Sequence, residues 1–257
     1  MIHQIKEGYV NVEHKHGLTV IEFFHPKSNA LPAALLADLT REIQSAGSDT
    51  DTKVVLLRSA GDGAFCAGAS FSELTAIRTA EEGKTFFSGF ANVINAMRKC
   101  PKLIAARVHG KCVGGGVGLA AAADYAIAME TADVKLSELS IGIGPFVVGP
   151  VIEKKIGLAA FSQLAIDATM WRAAEWARKK GLFAELHSNA ESMDESIARL
   201  TNELLHSNPE AMAEIKKIFW NGTSDWDTLL QERAAISGKL VVSSFTRAAL
   251  EKLQAKV

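Results

Sequence analysis

The order of apolar patterns along this 257-residue chain predicts a layered α/β fold. Apolar and polar residues alternate as in strands over residues 8–24, on either side of His16-Gly17. Strand-like and helix-like segments then alternate as far as residue 129. From Ile156 onward Ala, Leu, Glu, Lys and Arg recur at helical periods, so the carboxy-terminal third is expected to be mostly helical.

Each predicted element has a local signal of its own. A helix is predicted over 31–46, where Gly47 is expected to end it as a C-terminal cap. Its apolar face is formed by Leu35, Leu36, Leu39 and Ile43. The other predicted elements are a strand at 54–58, a helix at 80–99, a strand at 103–109, a short apolar helix at 117–123 and a strand at 125–129. A bend without a flexible linker is expected near residues 190–205.

Composition and charge exclude several functional classes. A net charge of −1 gives no overall field that would attract nucleic acid or an anionic membrane, and 48% hydrophobic residues indicate a globular protein. The longest stretch without a formal charge, residues 139–152, is shorter than the ~18 residues that a membrane span needs. Three widely spaced cysteines and an amino terminus without a signal or transit pattern predict a cytoplasmic protein.

The most informative motif is the glycine triplet Gly114-Gly115-Gly116, between a predicted strand and a predicted helix. Backbone without Cβ atoms can approach a ligand closely, and the first N–H groups of a helix can hold a developing negative charge. The alternative is that the glycines only allow close packing of the helix. A dinucleotide-binding motif fits residues 116–121 superficially, but the helix is too short for that fold.

Two further segments carry candidate chemistry. Residues 64–70 form a second turn of small residues after a strand, and Glu138 is the one carboxylate in an otherwise uncharged segment. Considered alone, Glu138 is expected to be a solvated or hydrogen-bonded surface group. Ser70 lacks the final glycine of a nucleophile elbow, and the histidines show no metal-ligand spacing, so no metal site is expected.

Together these segments resemble the crotonase superfamily, also called the enoyl-CoA hydratase/isomerase family. The resemblance covers residues 8–257 and implies a ClpP/crotonase-like β/α spiral with two roughly perpendicular sheets and a helical carboxy-terminal region. It divides the chain into a core with the active site, residues 1–195, and a trimerisation region, 196–257. It also implies a homotrimer or a dimer of trimers. The matching blocks are Pro26–Leu31, Ala64–Phe71, Ile104–Gly110 with the glycine triplet, Asp124, Glu138–Pro145 and Lys179–Leu182.

The resemblance also assigns roles to individual residues. The backbone N–H groups of Ala69 and Gly115 would form an oxyanion hole for the carbonyl of a CoA thioester, with Glu138 as the acid/base. Coenzyme A would arrive as part of the substrate, with no tightly bound cofactor. Lys252 is aligned with a basic residue that binds CoA, although it could equally be a solvated helix lysine. The full set of implied substrate-binding residues is Ala67, Gly68, Gly114, Gly116, Lys27 and Lys252.

One departure from the family pattern limits the expected reaction. Hydratases of the family carry a first glutamate at the position of Gly118, so only the second, Glu138, is retained. One carboxylate is enough to shift a double bond, whereas adding water ordinarily needs two groups. The sequence predicts a hydratase or isomerase. The alternatives are a hydrolase of a thioester or carbon–carbon bond and a non-catalytic acyl-CoA-binding protein.

Two sets of side chains are expected to complete the site. A second carboxylate could come from the segment with Glu73, Glu81 and Glu82. The wall of an acyl pocket is expected from the aromatic residues of segment 70–89, which are Phe71, Phe86 and Phe87. The acyl chain of the substrate is not indicated by these residues.

Overall fold

The computed structural model describes residues 8–255. The strands are β1 (Tyr9–Lys15), β2 (Leu18–Phe24), β3 (Val54–Ser59), β4 (Leu103–Val108), β5 (Cys112–Val113), β6 (Tyr125–Met129), β7 (Val134–Lys135) and β8 (Glu185–His187). The helices are α1 (Ala33–Ser48), α2 (Phe71–Ala76), α3 (Ala80–Lys99), α4 (Gly115–Ala122), α5 (Gly149–Ile156), α6 (Leu158–Ile166), α7 (Ala174–Lys179), α8 (Ala190–Leu205), α9 (Pro209–Phe219), α10 (Trp226–Val241) and α11 (Ser244–Gln254), with a 3₁₀ helix at Glu138–Ile141. Residues 1–7 and 256–257 lie outside this range. The first residues of the predicted core region and the last residues of the predicted trimerisation region are among them.

A six-stranded sheet in the order β1-β2-β3-β4-β6-β8 forms the centre of the fold. Strands β1 and β2 pair antiparallel through the turn at His16-Gly17, where both residues have positive φ. Every other pair in this sheet is parallel, with helices α1, α3 and α4 lying between successive strands along the chain. The α/β class predicted from the alternating patterns is therefore confirmed.

A second, smaller sheet is formed by segments that follow strands β4 and β6 of the large sheet. Strands β5 and β7 pair in parallel, and single bridges join Leu31 to Ala69, Cys66 to Cys112 and Val134 to Arg172. The first two bridges connect backbone segments that follow different strands of the large sheet. The two turns rich in small residues, 64–70 and 110–116, are consequently held side by side.

Both faces of the large sheet are buried, which explains the nearly continuous apolar runs of its central strands. Ile21, Val55 and Leu57 face the main core with α1, α3 and α4. The opposite face packs against Met193 and Ile197 of α8. Residues 190–205 are thus a continuous helix that covers the sheet, and the expected bend is wrong. The predicted region boundary at 195 falls inside this helix.

The predicted elements differ from the structure at a few other points. Helix α1 continues through Gly47 to Ser48 and is capped by Asp49, so the cap predicted at Gly47 is wrong. The apolar helix after the glycine triplet begins at Gly115 rather than at 117. Strand β8 has only three residues, and no alternating pattern indicated it. In the part of the chain described here, no helix combines the length and apolar character of a membrane span.

Helix α3 begins with a capping box that fixes its amino-terminal end. The Thr79 hydroxyl accepts a hydrogen bond from the Glu82 N–H at 3.1 Å, and the Glu82 carboxylate accepts one from the Thr79 N–H at 3.3 Å. We expect Thr79→Ala to lower the free energy of unfolding by about 1 kcal/mol, measured by urea denaturation. Thr79→Ser keeps the hydroxyl and should stay close to the unmodified protein. Equal losses in both variants would contradict a role for this hydrogen bond.

Candidate active site

A cavity of about 350 Å³ opens where the two turns of small residues meet the segment after β7. Its backbone wall comes from residues 67–69 and 113–115, and Glu138 is the one carboxylate among the described residues that line it. Most of the remaining lining is apolar and includes Phe71, Leu74, Phe87, Phe90, Ile141, Ile143, Phe146, Val147 and Val148. A small apolar cavity with a few polar groups is typical of a ligand site.

Hydrogen bonds hold the first turn in place from both sides. The Leu31 N–H donates to the Gly68 carbonyl at 2.8 Å, and the Ser70 N–H donates to the Leu31 carbonyl at 3.2 Å. On the other side, the Val113 N–H donates to the Cys66 carbonyl at 2.9 Å. Gly68 has a φ of +88°, a conformation that glycine adopts without strain. The turn is therefore rigidly positioned against the strand that precedes α4.

The two predicted oxyanion-hole amides lie on neighbouring turns. A Cβ atom placed on Gly68 would be 3.5 Å from the Gly115 nitrogen, so the two loops are in van der Waals contact. The Ala69 N–H has no hydrogen-bond acceptor within residues 8–255. Gly115 is the first residue of α4, and the N–H groups of a first helical turn lack partners inside the helix. Both residues line the cavity, where these donors can meet a ligand oxygen.

Asn29, which the sequence did not single out, fixes the loop beside the first turn. Its amide donates to the carbonyls of Ala60 and Ala64, both at 2.9 Å, and its oxygen accepts from the His25 N–H at 2.8 Å. Asn29 is buried and has a φ of +55°, which asparagine tolerates better than most residues. A buried side chain that satisfies three backbone groups in separate segments leaves no periodic signal in the sequence.

The Glu138 carboxyl lies directly against the glycine triplet. A Cβ atom on Gly114 would be 2.8 Å from Glu138 Oε1, and Gly114 itself has φ +51° and ψ −113°. The Gly114 N–H donates to the Lys135 carbonyl at 2.9 Å, which ties the triplet to the segment that leads to Glu138. All three predicted segments therefore converge at one point, as the resemblance implied.

Burial changes the acid strength of this carboxyl. Glu138 Oε2 is buried and has no hydrogen-bond partner within the described residues. Desolvation of the charged form raises the pKa of Glu138 to about 7. The expectation that Glu138 alone would be a solvated surface group is wrong, because the carboxyl is enclosed by the cavity and by Gly114. A carboxyl with a pKa near neutrality can both accept and release a proton at physiological pH.

The glycines of α4 also serve close packing, which is the alternative explanation of the triplet. A Cβ on Gly115 would lie 2.2 Å from a ring carbon of Phe90, and one on Gly116 would lie 2.2 Å from the Cys66 carbonyl oxygen. Gly116 is buried under the turn and does not line the cavity. The structure therefore gives Gly116 a different position from the one predicted: it packs under the turn at 64–70 and does not face the cavity.

The predicted lysines lie outside the cavity wall. Lys27 is exposed on the turn between His25 and Asn29, and Lys252 is exposed on α11, beside Leu253, which does line the cavity. Neither lysine contributes to the lining. Their predicted contacts with CoA remain predictions about the surface around the cavity.

None of the three glutamates expected to supply a second acid lines the cavity. Glu73 Oε2 accepts a hydrogen bond from the Ala33 N–H at 2.9 Å, and Glu82 belongs to the capping box of α3. The Glu81 side chain is 81% exposed. The expectation that one of them reaches the site is wrong, since helix ends and solvent hold these groups away from it.

The aromatic wall is partly different from the one expected. Phe71 and Phe87 line the cavity, but Phe86 lies behind it and packs edge-on against Phe87 with ring centroids 5.1 Å apart. Residues that the sequence did not indicate complete the lining, among them Lys135, Phe146, Ser237 of α10 and Leu253 of α11. The last two come from helices that lie about 100 residues after Glu138, so no local motif could have revealed them.

Comparison with known proteins identifies the family. A model of the family described as enoyl-CoA hydratase/isomerase matches residues 13–252. The chain belongs to this family. It is 30% identical over 192 residues to the mitochondrial methylglutaconyl-CoA hydratase of Mus musculus, a match that covers 73% of this chain and 60% of that protein.

The chain is also similar to a second relative and to a solved structure. Over 132 residues the chain is 34% identical to (7aS)-7a-methyl-1,5-dioxo-2,3,5,6,7,7a-hexahydro-1H-indene-carboxyl-CoA hydrolase of Mycobacterium tuberculosis, covering 49% of this chain and 51% of that protein. The matches thus span about half to three fifths of these relatives. The crystal structure of enoyl-CoA hydratase from Bacillus halodurans superposes with a TM-score of 0.87 at 20% identity, covering 95% of this chain and 99% of that one.

Membership gives the general class of the chemistry. Enzymes of the enoyl-CoA hydratase/isomerase family use CoA-thioester substrates and generally need no tightly bound cofactor, and this chain is a member of that family. Within residues 8–255, no group of three or more His, Cys, Asp and Glu side chains is arranged to hold a metal ion. The fold, with its sheets and carboxy-terminal helices, matches the solved hydratase.

Proposed function

We propose that this enzyme moves a proton within the acyl chain of an enoyl-CoA thioester, with Glu138 as its single acid/base. The observation that carries the proposal is the contact of the Glu138 carboxyl with Gly114, beside the free amides of Ala69 and Gly115. A proton-transfer group and two oxyanion donors then share one small cavity. These are the groups that enolate chemistry requires.

The reaction balances with this one carboxyl group. The Glu138 carboxylate takes a proton from the α-carbon of a 3-enoyl-CoA, and the electron pair of that C–H bond moves onto the thioester oxygen. The Ala69 and Gly115 N–H groups donate hydrogen bonds to the resulting dienolate oxygen; one such donor is typically worth ~3–4 kcal/mol. Glu138 then returns the proton to the γ-carbon, the carbonyl reforms, and a 2-enoyl-CoA leaves.

Glu138 is the one carboxylate that lines the cavity within residues 8–255, which favours this isomerisation over hydration. Hydration needs one group to activate water and another to protonate the α-carbon. By the resemblance, Gly118 stands where the first glutamate of the hydratases would be. We therefore place hydration below isomerisation.

The direct test uses two acyl-CoA substrates with purified enzyme. Isomerisation of 3-butenoyl-CoA generates enone absorbance, whereas hydration of crotonyl-CoA removes it. We expect the first signal to dominate. If neither substrate reacts while both raise the melting temperature, the protein binds acyl-CoA without these reactions.

A hydrolase is the second candidate, because 34% identity over 132 residues relates the chain to an indene-carboxyl-CoA hydrolase. The same two amides would stabilise the oxyanion formed when a thioester or carbon–carbon bond is cleaved by water. Mass spectrometry of the products distinguishes the candidates, since isomerisation leaves the mass unchanged and hydrolysis of a thioester releases free CoA. Release of CoA from 3-butenoyl-CoA would favour the hydrolase.

We also propose that the enzyme is a homotrimer or a dimer of trimers located in the cytoplasm. Large apolar side chains on α6 and just after it are exposed in the single chain, with Ile166 75%, Leu158 64% and Met170 53% accessible. Exposed apolar groups of this kind are typical of surfaces that a partner covers. Analytical ultracentrifugation measures the oligomeric state, and a monomer at micromolar concentration would contradict it.

A further inference from the structure

Gly118 faces a neighbouring side chain instead of the cavity. A Cβ atom placed on Gly118 would lie 2.6 Å from Val148 Cγ1, 3.0 Å from Val148 Cβ and 3.8 Å from Ile94 Cδ1. Gly118 is buried and does not line the cavity, whereas Val148 does. Val148 therefore lies between Gly118 and the cavity.

The position of Val148 is fixed by backbone contacts. It is the N-cap residue of α5 and is 4% exposed. Its carbonyl accepts a hydrogen bond from the Ile152 N–H at 3.1 Å, and the next N–H, of Gly149, donates to Pro145 at 2.7 Å. The backbone of Val148 therefore cannot shift away from Gly118 without disturbing the start of the helix.

We propose that Val148 determines the reaction specificity of this site by filling the volume through which a side chain at position 118 would reach the substrate. The inference rests on the proposed function. It adds that the loss of the first glutamate and the presence of Val148 belong together, because the two side chains compete for the same space. With Val148 in place, the site holds one proton-transfer group and is restricted to moving a proton along the acyl chain.

The first test examines the shared volume and needs no activity. Alanine normally stabilises a helix interior relative to glycine, so helix propensity alone predicts that Gly118→Ala raises the melting temperature. We expect the opposite, a fall on the order of 5 °C, because overpacking outweighs propensity. Val148→Gly lowers stability by itself because it empties a buried position, but in a Val148→Gly background the addition of Gly118→Ala should no longer lower the melting temperature. Glycine rather than alanine is used at position 148 because the Val148 Cβ itself would lie 3.0 Å from the Cβ added at position 118.

The matched control is Val147→Gly. Val147 is also buried and lines the same cavity, but the three nearest atoms to a Cβ at position 118 belong to Val148 and Ile94. Val147→Gly should leave the effect of Gly118→Ala unchanged. A Gly118→Ala protein that melts at or above the unmodified protein would overturn the inference, as would an equal effect of Gly118→Ala in the Val148→Gly and Val147→Gly backgrounds.

The second test examines the reaction. Gly118→Glu alone should give no hydration of crotonyl-CoA, and Gly118→Glu with Val148→Gly should hydrate it at least tenfold faster than either single variant. Hydration by Gly118→Glu alone, or none by a double variant that unfolds cooperatively and still binds butyryl-CoA, would overturn the role of Val148 in specificity. If the unmodified enzyme fails to isomerise 3-butenoyl-CoA, the proposed function fails separately, because the melting temperatures do not depend on it.

Discussion

Glu138→Gln is expected to lower turnover of 3-butenoyl-CoA by about 10²–10⁴-fold, the usual contribution of a positioned acid/base. Glutamine keeps the shape of the side chain and its contact with Gly114 but cannot carry a proton between two carbons. Binding of the saturated analogue butyryl-CoA, measured by titration calorimetry, should change little. Because turnover falls while ground-state binding persists, the loss belongs to the chemical step.

The control for this substitution is Glu81→Gln, which removes a carboxylate from the solvent-exposed start of α3. Its turnover should match that of the unmodified enzyme. If Glu138→Gln retains turnover within twofold of Glu81→Gln, Glu138 is not the acid/base, and the proposed reaction must be abandoned.

The raised pKa of Glu138 also predicts the pH dependence of the rate. The carboxylate form starts the reaction, and its fraction grows as pH rises through the pKa of about 7. The value of kcat/KM, which reports the ionisation of the free enzyme, should therefore increase across this range and level off above it. A rate that is flat from pH 5 to pH 9 would contradict a pKa near 7 for the group that removes the proton.

Stability should depend on pH in the opposite sense. Burial raises the folded-state pKa of Glu138 from 4.5 to about 7, so the folded protein binds more protons than the unfolded chain between these values. The stabilisation is complete below pH 4.5 and is lost as pH rises to about 7. Glutamine does not ionise, so Glu138→Gln should gain up to about 3 kcal/mol over the unmodified enzyme at pH 8, measured by urea denaturation.

Local patterns predicted the elements that local interactions determine. Helix α3 lies at the predicted residues 80–99 because a capping box starts it and a buried apolar face runs through it. Gly47 was wrong as a predicted cap, because it lies inside α1 close to Pro101 and Cys100, and the helix ends one residue later at Ser48. Residues 190–205, where a bend was expected, carry a local helix signal, since the Asn189 side chain accepts a hydrogen bond from the Ser192 N–H at 2.9 Å. What the local pattern did not give is the packing of this helix on the sheet.

The site followed the same division. Two turns of small residues follow two predicted strands, and the resemblance implied that their backbone amides meet; the bridge from Cys66 to Cys112 brings those turns together. The burial of Glu138 could not be predicted from its own segment. It depends on the contact with Gly114, and the segment is held from a distance by Thr246, whose hydroxyl donates to the Gly142 carbonyl at 3.2 Å. Ser237 and Leu253 reach the cavity through such long-range packing as well.

Gly114→Ala is the second substitution with a large expected effect, because it acts on both parts of the site at once. The backbone at Gly114, with φ +51° and ψ −113°, lies in a region that costs other residues of the order of 1–3 kcal/mol. The added methyl group would also lie 2.8 Å from Glu138 Oε1 and must displace the carboxyl. Displacement by about 1 Å can cost 10²-fold in rate, so we expect at least a 10²-fold loss of turnover.

The origin of that loss can be separated from simple unfolding. Gly63→Ala is the matched control, since a Cβ there meets no atom within 4 Å, and it should retain full activity. In a Glu138→Gln background, adding Gly114→Ala should lower the residual rate far less than 10²-fold, because residues that act through one another give non-additive effects. If the effects of the two substitutions on the rate are fully additive in a folded protein, Gly114 acts through the backbone amides and not by positioning the Glu138 carboxyl. Turnover of Gly114→Ala equal to that of Gly63→Ala would show that the contact between Gly114 and Glu138 has no part in the reaction.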